Sequence, residues 1–126
     1  MRTERSQIYK CKHCGQVVEI LDGGMNPVCC GESMTLQPAN TVEASREKHI
    51  PVIEVQDNGI LVKIGSEPHP MTEEHLIEWV AIETEQGYQV KYLTANSDPV
   101  CSFSLADGDK FVKAYAYCNL HGLWTA

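Results

Sequence analysis

Cysteine and histidine are the residues of this sequence whose spacing most clearly predicts chemistry. Four of the six cysteines fall within the first 30 residues, and four of the five histidines come after them. Thiolate sulfur and imidazole nitrogen are donors that bind iron, zinc and copper. The sequence therefore predicts two separate metal sites, one in each part of the chain.

The early cysteines form a C-x-x-C motif followed by an adjacent pair. Cys11 and Cys14 can grip one ion from a single turn, and Cys29 and Cys30 supply two more sulfurs. Four thiolates fit a tetrahedral site for either zinc or a single iron ion. Adjacent cysteines point apart unless the backbone bends, and Gly31 directly after the pair allows such a bend.

Disulfide bonds are an alternative for these cysteines. The sequence opens without an apolar signal segment, so we expect a cytoplasmic protein, in which disulfides are rare. We expect His13, inside the motif, to face solvent, because four sulfurs already complete a tetrahedron. Cys101 lies in an apolar run and is expected to be a small buried hydrophobic residue.

A second set of donors combines histidines with one cysteine. Its members are His49, His69, His75, Cys118 and His121. Cys118 and His121 can share an ion at C-x-x-H spacing, and His69 stands between two prolines that restrict its backbone. Any one of these histidines alone is more typical of a surface residue, but the set indicates a metal. Zinc rarely takes five protein ligands, so iron with an open sixth position fits better.

A β-rich fold must position these donors. The chain has 126 residues, of which 43% are hydrophobic and 21% charged, a normal globular balance. After residue 50, strand-length apolar windows alternate with turn signals such as Asp57-Asn58-Gly59 and Ser97-Asp98-Pro99. This pattern predicts an antiparallel β-sandwich of about seven strands, with the histidines at strand ends or in loops. No helical period is evident.

The expected fold class is all-β, in two domains. Residues 1–37 are too few for an independent hydrophobic core and need a bound metal to stabilise them. Residues 38–47 are polar and are expected to form a linker. Residues 48–126 form the sandwich.

Charge and hydropathy exclude some functions. The net charge of −7 and the ten scattered Lys and Arg residues argue against nucleic-acid binding. No run approaches the roughly 18 consecutive apolar residues of a membrane span, so we expect no membrane association.

The motifs resemble those of the desulfoferrodoxins, a family of two-iron superoxide reductases. The C-x-x-C with a later C-C resembles their desulforedoxin-like N-terminal domain. The segments EKH, PHPM with a later histidine, and CNLHG resemble their neelaredoxin-like catalytic domain. The resemblance spans nearly the whole chain and implies an immunoglobulin-like sandwich, a homodimer and a rubredoxin-type electron donor.

The resemblance also implies two iron ions per chain. One would be bound by four thiolates, and the second by a square of four imidazoles with one axial thiolate. The first set would be Cys11, Cys14, Cys29 and Cys30, and the second His49, His69, His75 and His121 with axial Cys118.

The implied reaction is the one-electron reduction of superoxide to hydrogen peroxide. A ferrous ion with four neutral imidazoles and one thiolate carries a single positive charge, which attracts the superoxide anion. Lys48 would add to that attraction, Glu47 would close the oxidised site and help expel peroxide, and the Cys118 thiolate would favour the ferric state. Without the family, Glu47 and Lys48 are typical of a solvated surface. Two alternatives stay open: an iron protein that only carries electrons, and a zinc-stabilised binding module.

Overall fold

The computed structural model describes residues 2–41 and 46–126, so residues 42–45 of the expected linker lie outside the described residues. Contacts divide the chain into two compact units, Met1–Pro38 and Ala39–Ala126. The elements are β1 Ile8–Lys10, β2 Val17–Glu19, β3 Val28–Cys29, β4 Glu32–Ser33, β5 Thr35–Leu36, α1 Arg46–His49, β6 Pro51–Gln56, β7 Gly59–Ile64, β8 Ile77–Thr84, β9 Gly87–Tyr92, β10 Val100–Ser104, β11 Phe111–Cys118 and β12 Gly122–Thr125. The predicted all-β class is confirmed.

The first unit consists of a three-stranded sheet and a hairpin. The sheet has the order β2-β1-β5, and β3 pairs with β4. Its core is a small cluster of the buried Tyr9, Cys11 and Met34, against which Val18 and Ile20 pack. Such a cluster buries little apolar surface for a unit of this length, so a further stabilising contribution is needed.

The second unit is an antiparallel sandwich. One sheet has the order β10-β7-β6 and the other the order β12-β11-β8-β9. Side chains alternate between the two faces of a strand, and the inward set on β7 includes Ile60, Val62 and Ile64. These side chains belong to the same buried cluster as Val80 of β8 and Ala116 of β11. Sheets of three and four strands are those of an immunoglobulin constant-type sandwich, as predicted.

The ladder between β11 and β8 is irregular where β11 ends. Tyr117 pairs with Trp79, whereas the next residue, Cys118, pairs with Ile77, which leaves Glu78 as an extra residue on β8. A bulge of this kind re-aims the neighbouring side chains, and here it places Ile77 of β8 in the same core as Val80 and Ile82. Cys118, the last residue of β11, is buried in this core because it alternates with Ala114 and Ala116 on the inner face of its strand.

The short helix α1 is the element that the apolar pattern does not indicate. One helical turn is too short to show a hydrophobic period, and the polar residues of this turn are equally typical of a linker. The turn ends at His49, which is 2% exposed. Within the described residues, no helix has the length and apolar character needed to cross a membrane.

Candidate metal centres

The four early cysteines converge in the first unit. Cys11 and Cys14 lie in the turn after β1, Cys29 ends β3, and Cys30 begins the turn to β4. Their sulfur atoms all lie within 4.8 Å of one another, with Cys14 Sγ 3.6 Å from Cys29 Sγ and Cys29 Sγ 3.9 Å from Cys30 Sγ. The sequence prediction that these residues meet is thus matched by their geometry.

The spacing of these sulfurs fits a single tetrahedral ion. Metal–sulfur bonds of about 2.3 Å in a tetrahedron place sulfurs about 3.8 Å apart, within the range found here. A disulfide would require an S–S distance of about 2.05 Å, and all six cysteines, each within the described part of the chain, are free. The four residues therefore fit a metal and not a pair of disulfides.

A two-residue turn separates the side chains of the adjacent cysteines. Cys29 pairs with Glu32 across the hairpin, so Cys30 and Gly31 are its two central residues. Both have positive φ, 54° for Cys30 and 75° for Gly31, as a type I′ turn requires. The bend expected at the C-C pair is this turn, which turns the two neighbouring thiols towards one point.

Electrostatics also favours a cation among these sulfurs. The amide N–H of Cys14, 3.5 Å from Cys11 Sγ, lowers the pKa of the Cys11 thiol to about 6. Contacts with the sulfurs of Cys14 and Cys11 raise the pKa of the Cys29 thiol to about 12. Four thiolates cannot share this volume unless a positive ion neutralises them.

His13 points away from this cluster. Its Nε2 lies 3.3 Å from the carboxylate of Glu32, and the ammonium group of Lys12 lies 2.7 Å from the same carboxylate. His13 and Lys12 are both exposed. The expectation that His13 faces solvent is confirmed, and these surface ion pairs link the C-x-x-C turn to β4.

The second set of donors meets at one end of the sandwich. His49 ends α1 just before β6, and His69 and His75 lie between β7 and β8. Cys118 ends β11, and His121 lies in the turn to β12. His49, His75, Cys118 and His121 lie within two residues of a strand end, whereas His69 lies in the middle of the loop between β7 and β8.

The four imidazole rings form a square. Neighbouring ring centroids are 4.6 Å apart for His49 and His69, and 4.7 Å for His69 and His75. The other two sides are 5.1 Å for His75 and His121, and 4.9 Å for His121 and His49. The diagonal between His49 and His75 is 6.2 Å. Neighbouring rings stand at 79° to 81° to each other, so the four rings surround a common centre.

The nitrogen atoms that face this centre have the spacing of metal ligands. His69 Nε2 is 3.1 Å from His49 Nε2, and His121 Nδ1 is 3.0 Å from the same atom. Bonds of about 2.1 Å from one ion to imidazoles at adjacent corners of a square imply N–N distances of about 3.0 Å. The geometry therefore fits a single ion inside the square.

Cys118 supplies the sulfur of this site. Its Sγ lies 3.9 Å from His121 Nδ1 and within 4.8 Å of the ligand atoms of His49, His75 and His121. His69 stands outside that group of four and joins it through its contacts with His49 and His75. Burial raises the pKa of the Cys118 thiol, and the backbone N–H groups of Leu120 and His121 oppose this increase.

Two of the histidines, His69 and His75, are held in the neutral form. Nδ1 of His69 donates to the carbonyl oxygen of Pro70 at 2.6 Å, which leaves its Nε2 lone pair facing the centre. Burial lowers the pKa of His69 to about 4, and burial followed by the charges of His121 and Lys48 lowers the pKa of His75. His75 Nε2 is buried without a hydrogen-bond partner, which costs about 1–3 kcal/mol unless an ion binds there.

Glu47 and Lys48 lie directly before His49 on α1. Glu47 is exposed and Lys48 is half-buried. The charge of Lys48 contributes to the lowered pKa of His75, so its ammonium group acts on the site. The side chain of Glu47 is not part of the cluster of ligand atoms.

Two residues that support the site carried no clear signal in the sequence. The buried Trp124 packs against the ring of His49 with centroids 4.8 Å apart. Gly65, which follows β7, allows the loop before His69 to approach α1. A Cβ on Gly65 would lie 2.4 Å from Glu67 O and 2.6 Å from Glu47 O. A glycine inside Ile64-Gly65-Ser66 reads only as a turn.

Comparison with known proteins identifies the same family in both units. The family described as "Desulfoferrodoxin" matches residues 41–126, and "Desulfoferrodoxin, N-terminal domain" matches residues 3–37. A desulfoferrodoxin from Syntrophotalea carbinolica is 44% identical over 124 residues, which cover 98% of this chain and 97% of the relative.

Two further relatives give similar results. A desulfoferrodoxin from Nitratidesulfovibrio vulgaris is 46% identical over 121 residues, covering 95% of this chain and 94% of the relative. The crystal structure of the superoxide reductase from Treponema pallidum has a TM-score of 0.80 at 38% identity, covering 94% of this chain and 98% of that one.

Replacement of Gly65 by alanine should remove metal from the second cluster alone. The new Cβ would overlap backbone atoms of the loop and of α1, in addition to the strain of a φ of 85°. Displacement of α1 moves His49, so we expect loss of about one metal ion per chain while the four-cysteine cluster keeps its own. Metal content and thermal unfolding of the metal-loaded protein measure both effects.

Gly108→Ala is the matched control. Gly108 has a φ of 84°, but a Cβ there meets nothing within 4 Å. In this variant the left-handed backbone of the new alanine should lower the free energy of unfolding by about 1–2 kcal/mol. Both ions should stay bound. Equal metal content and equal unfolding temperatures for the two variants would contradict the role assigned to the close approach at Gly65.

Proposed function

Because this chain belongs to the desulfoferrodoxin family, we propose that it is a superoxide reductase that converts superoxide to hydrogen peroxide at its second cluster. In this reaction superoxide gains one electron and two protons. The observation that carries the proposal is the square of four imidazoles beside one thiolate. Five donors of this kind leave a sixth position of an octahedral ion for substrate.

The proposed ligands are the residues of the two clusters. An iron tetrathiolate would use Cys11, Cys14, Cys29 and Cys30, and the second iron would use His49, His69, His75, His121 and Cys118. Support comes from sulfur spacing near 3.6 Å in one case and nitrogen spacing near 3.0 Å in the other. Four soft sulfur donors and four imidazoles with one sulfur are both donor sets that suit iron.

Bound iron would supply the electron by passing from the ferrous to the ferric state. The protein controls how readily that happens through Cys118. Its thiolate would donate electron density and favour the ferric state. With four neutral imidazoles and one thiolate as ligands, a ferrous ion would give the reduced site a single positive charge, in a chain whose net charge is −7.

Lys48 is proposed to draw the substrate anion to the site. It is half-buried, and its charge acts on His75, one of the two half-buried histidines of the square. The accessible side of the square therefore carries both the ion's charge and the ammonium charge. A positive field at the entrance raises the local concentration of an anion such as superoxide.

Glu47 is proposed as the sixth donor of the oxidised site. The ferric state has one more positive charge than the ferrous state, and a carboxylate then becomes a more favourable ligand. Glu47 lies two residues before His49 on the same helical turn, so a small movement of α1 would be enough to change its distance from the square. Closure by Glu47 would help to release peroxide.

The remaining proposals concern the whole protein. We propose a cytoplasmic homodimer that receives electrons from a rubredoxin-type donor. The exposed Cys14 and Cys30 support electron entry at the first cluster, because they bring its sulfurs to the protein surface. The N-terminal family match ends at residue 37 and the second match begins at residue 41, which supports a linker that starts near residue 38.

Superoxide given in a pulse to the reduced, iron-loaded protein tests the reaction. A reductase should consume superoxide and produce peroxide while releasing no dioxygen. Simultaneous measurement of superoxide absorbance, peroxide and dioxygen separates the possibilities. Release of one dioxygen for every two superoxide ions would indicate a dismutase, and no consumption would leave the protein an electron carrier.

Lys48→Ile should slow the reaction with superoxide by roughly tenfold at low salt, because the field that draws the anion is weaker. The rate of the variant should also depend less on ionic strength. Pulse radiolysis over a range of salt concentrations measures both quantities. Lys113→Ile, which removes an exposed lysine from the opposite end of β11, is the control and should react like the unaltered protein. The role of Lys48 would be refuted by equal rates for both variants.

Cys118→Ser should abolish the thiolate-to-iron absorption of the oxidised second site, because the sulfur donor is gone. The bands of the four-cysteine site should persist in the same spectrum. Cys101→Ala removes a buried cysteine of β10 that belongs to neither cluster, and its spectrum should match that of the unaltered protein. If the second-site band survives in Cys118→Ser, Cys118 is not a ligand.

A further inference from the structure

Asn119 connects the two loops that carry most of the second cluster. Its side-chain oxygen accepts the backbone N–H of Leu76 at 3.0 Å, and its side-chain nitrogen donates to the carbonyl oxygen of Glu74 at 3.0 Å. Its own backbone N–H donates to the carbonyl oxygen of Leu76 at 3.2 Å. Three hydrogen bonds thus join this residue to one short segment.

The position of these bonds in the chain gives them their significance. Glu74 and Leu76 are the residues on either side of His75, and Asn119 lies between Cys118 and His121. The reciprocal pair therefore fixes one imidazole ligand relative to the sulfur and to a second imidazole. Asparagine suits this place because its short side chain carries one acceptor and one donor group.

The same bonds control the turn that surrounds the sulfur. Cys118 ends β11 and pairs with Gly122 at the start of β12, so residues 119–121 form the connection between the strands. In this connection, Nδ1 of His121 lies 3.9 Å from Cys118 Sγ. The side-chain hydrogen bonds of Asn119 attach this connection to the segment Glu74–Leu76, which lies just before β8.

We propose that Asn119 is a positioning residue of the second centre, whose side-chain amide holds the Cys118–His121 turn against the His75 segment and thereby sets how strongly the Cys118 thiolate donates to the ion. The inference deepens the proposed function and rests on it. When the amide is removed, the turn relaxes and Cys118 Sγ moves relative to His75 and His121. The donation from the thiolate to the ion then changes, and the reduction potential changes with it.

Asn40 provides a matched comparison within the same unit. Its side-chain nitrogen donates to Thr125 O at 3.1 Å, and its side-chain oxygen accepts the N–H of Thr125 at 2.9 Å. Asn40 thus also uses its side-chain oxygen and nitrogen on two backbone groups, but both groups belong to Thr125. Thr125 lies opposite Tyr115, three residues along β11 from Cys118. Loss of the Asn40 pair costs similar hydrogen bonds without touching the turn of the cluster.

The test compares Asn119→Ala and Asn40→Ala as iron-loaded full-length proteins. Asn119→Ala should shift both the thiolate-to-iron absorption and the reduction potential of the second site. It should also release iron to a chelator about 10- to 100-fold faster, the usual cost of losing a residue that orients ligands. The first site should keep its bands. Asn40→Ala should lower thermal stability and leave the second-site absorption and potential unchanged.

Unchanged absorption, potential and iron release in Asn119→Ala would overturn the proposal, and so would equal shifts in both variants. If Asn119→Ala does not fold, Asn119→Asp replaces it, because the carboxylate keeps the acceptor for Leu76 N–H and loses the donor to Glu74. Iron release from Asn119→Asp at the rate of the unaltered protein would also overturn it. The proposed reaction fails separately, since dioxygen release by the unaltered protein contradicts reduction but leaves these spectral comparisons valid.

Discussion

Lone pairs crowded around a common point are the constraint on which this structure depends. In the second unit, imidazole nitrogens lie 3.0 Å and 3.1 Å apart, and in the first unit sulfurs lie 3.6 Å apart. Atoms that carry lone pairs or negative charge repel at such distances unless a proton or a positive ion lies between them, and a single central ion can do this for a whole cluster. Both units therefore gain stability from an ion. The two donor sets differ, since four sulfurs close a tetrahedron whereas four nitrogens and one sulfur leave room for a substrate.

The fold brings the donor atoms together through rigid strand ends and a few local features: a tight turn, a close backbone approach and a side-chain hydrogen bond. In the first unit, the positive φ of Cys30 turns two adjacent thiols towards one point. In the second unit, the close approach at Gly65 brings α1 to the end of the sandwich at which β11 ends and His75 lies. The side chain of Asn119 then joins the two ligand loops just beyond Cys118 and Ile77, the last pair of the β11–β8 ladder. Strands supply the frame, and these short-range contacts set the ligand distances.

The convergence of the Cys and His donors and the strands could be predicted from the sequence, but the contacts that orient these donors could not. C-x-x-C, C-C and C-x-x-H spacings reflect local geometry, and alternating apolar windows reflect the sandwich, so both appear in the sequence itself. The helical turn α1 is too short to leave a periodic pattern. Gly65 and Asn119 matter because of backbone atoms from segments distant in sequence, and that proximity exists only in the folded chain. The choice of iron came from the number of donors and the family resemblance, and the spacing of the donors now supports one ion in each cluster.

The metal content and absorption spectrum of the purified, air-oxidised protein test the central claim most directly. The account predicts two iron ions per chain, one for each cluster of donors. It also predicts two distinct sets of sulfur-to-iron bands, one from the four-sulfur centre and one from the centre with four nitrogens and one sulfur. A colourless protein that contains two zinc ions, although expressed with iron available, would contradict it.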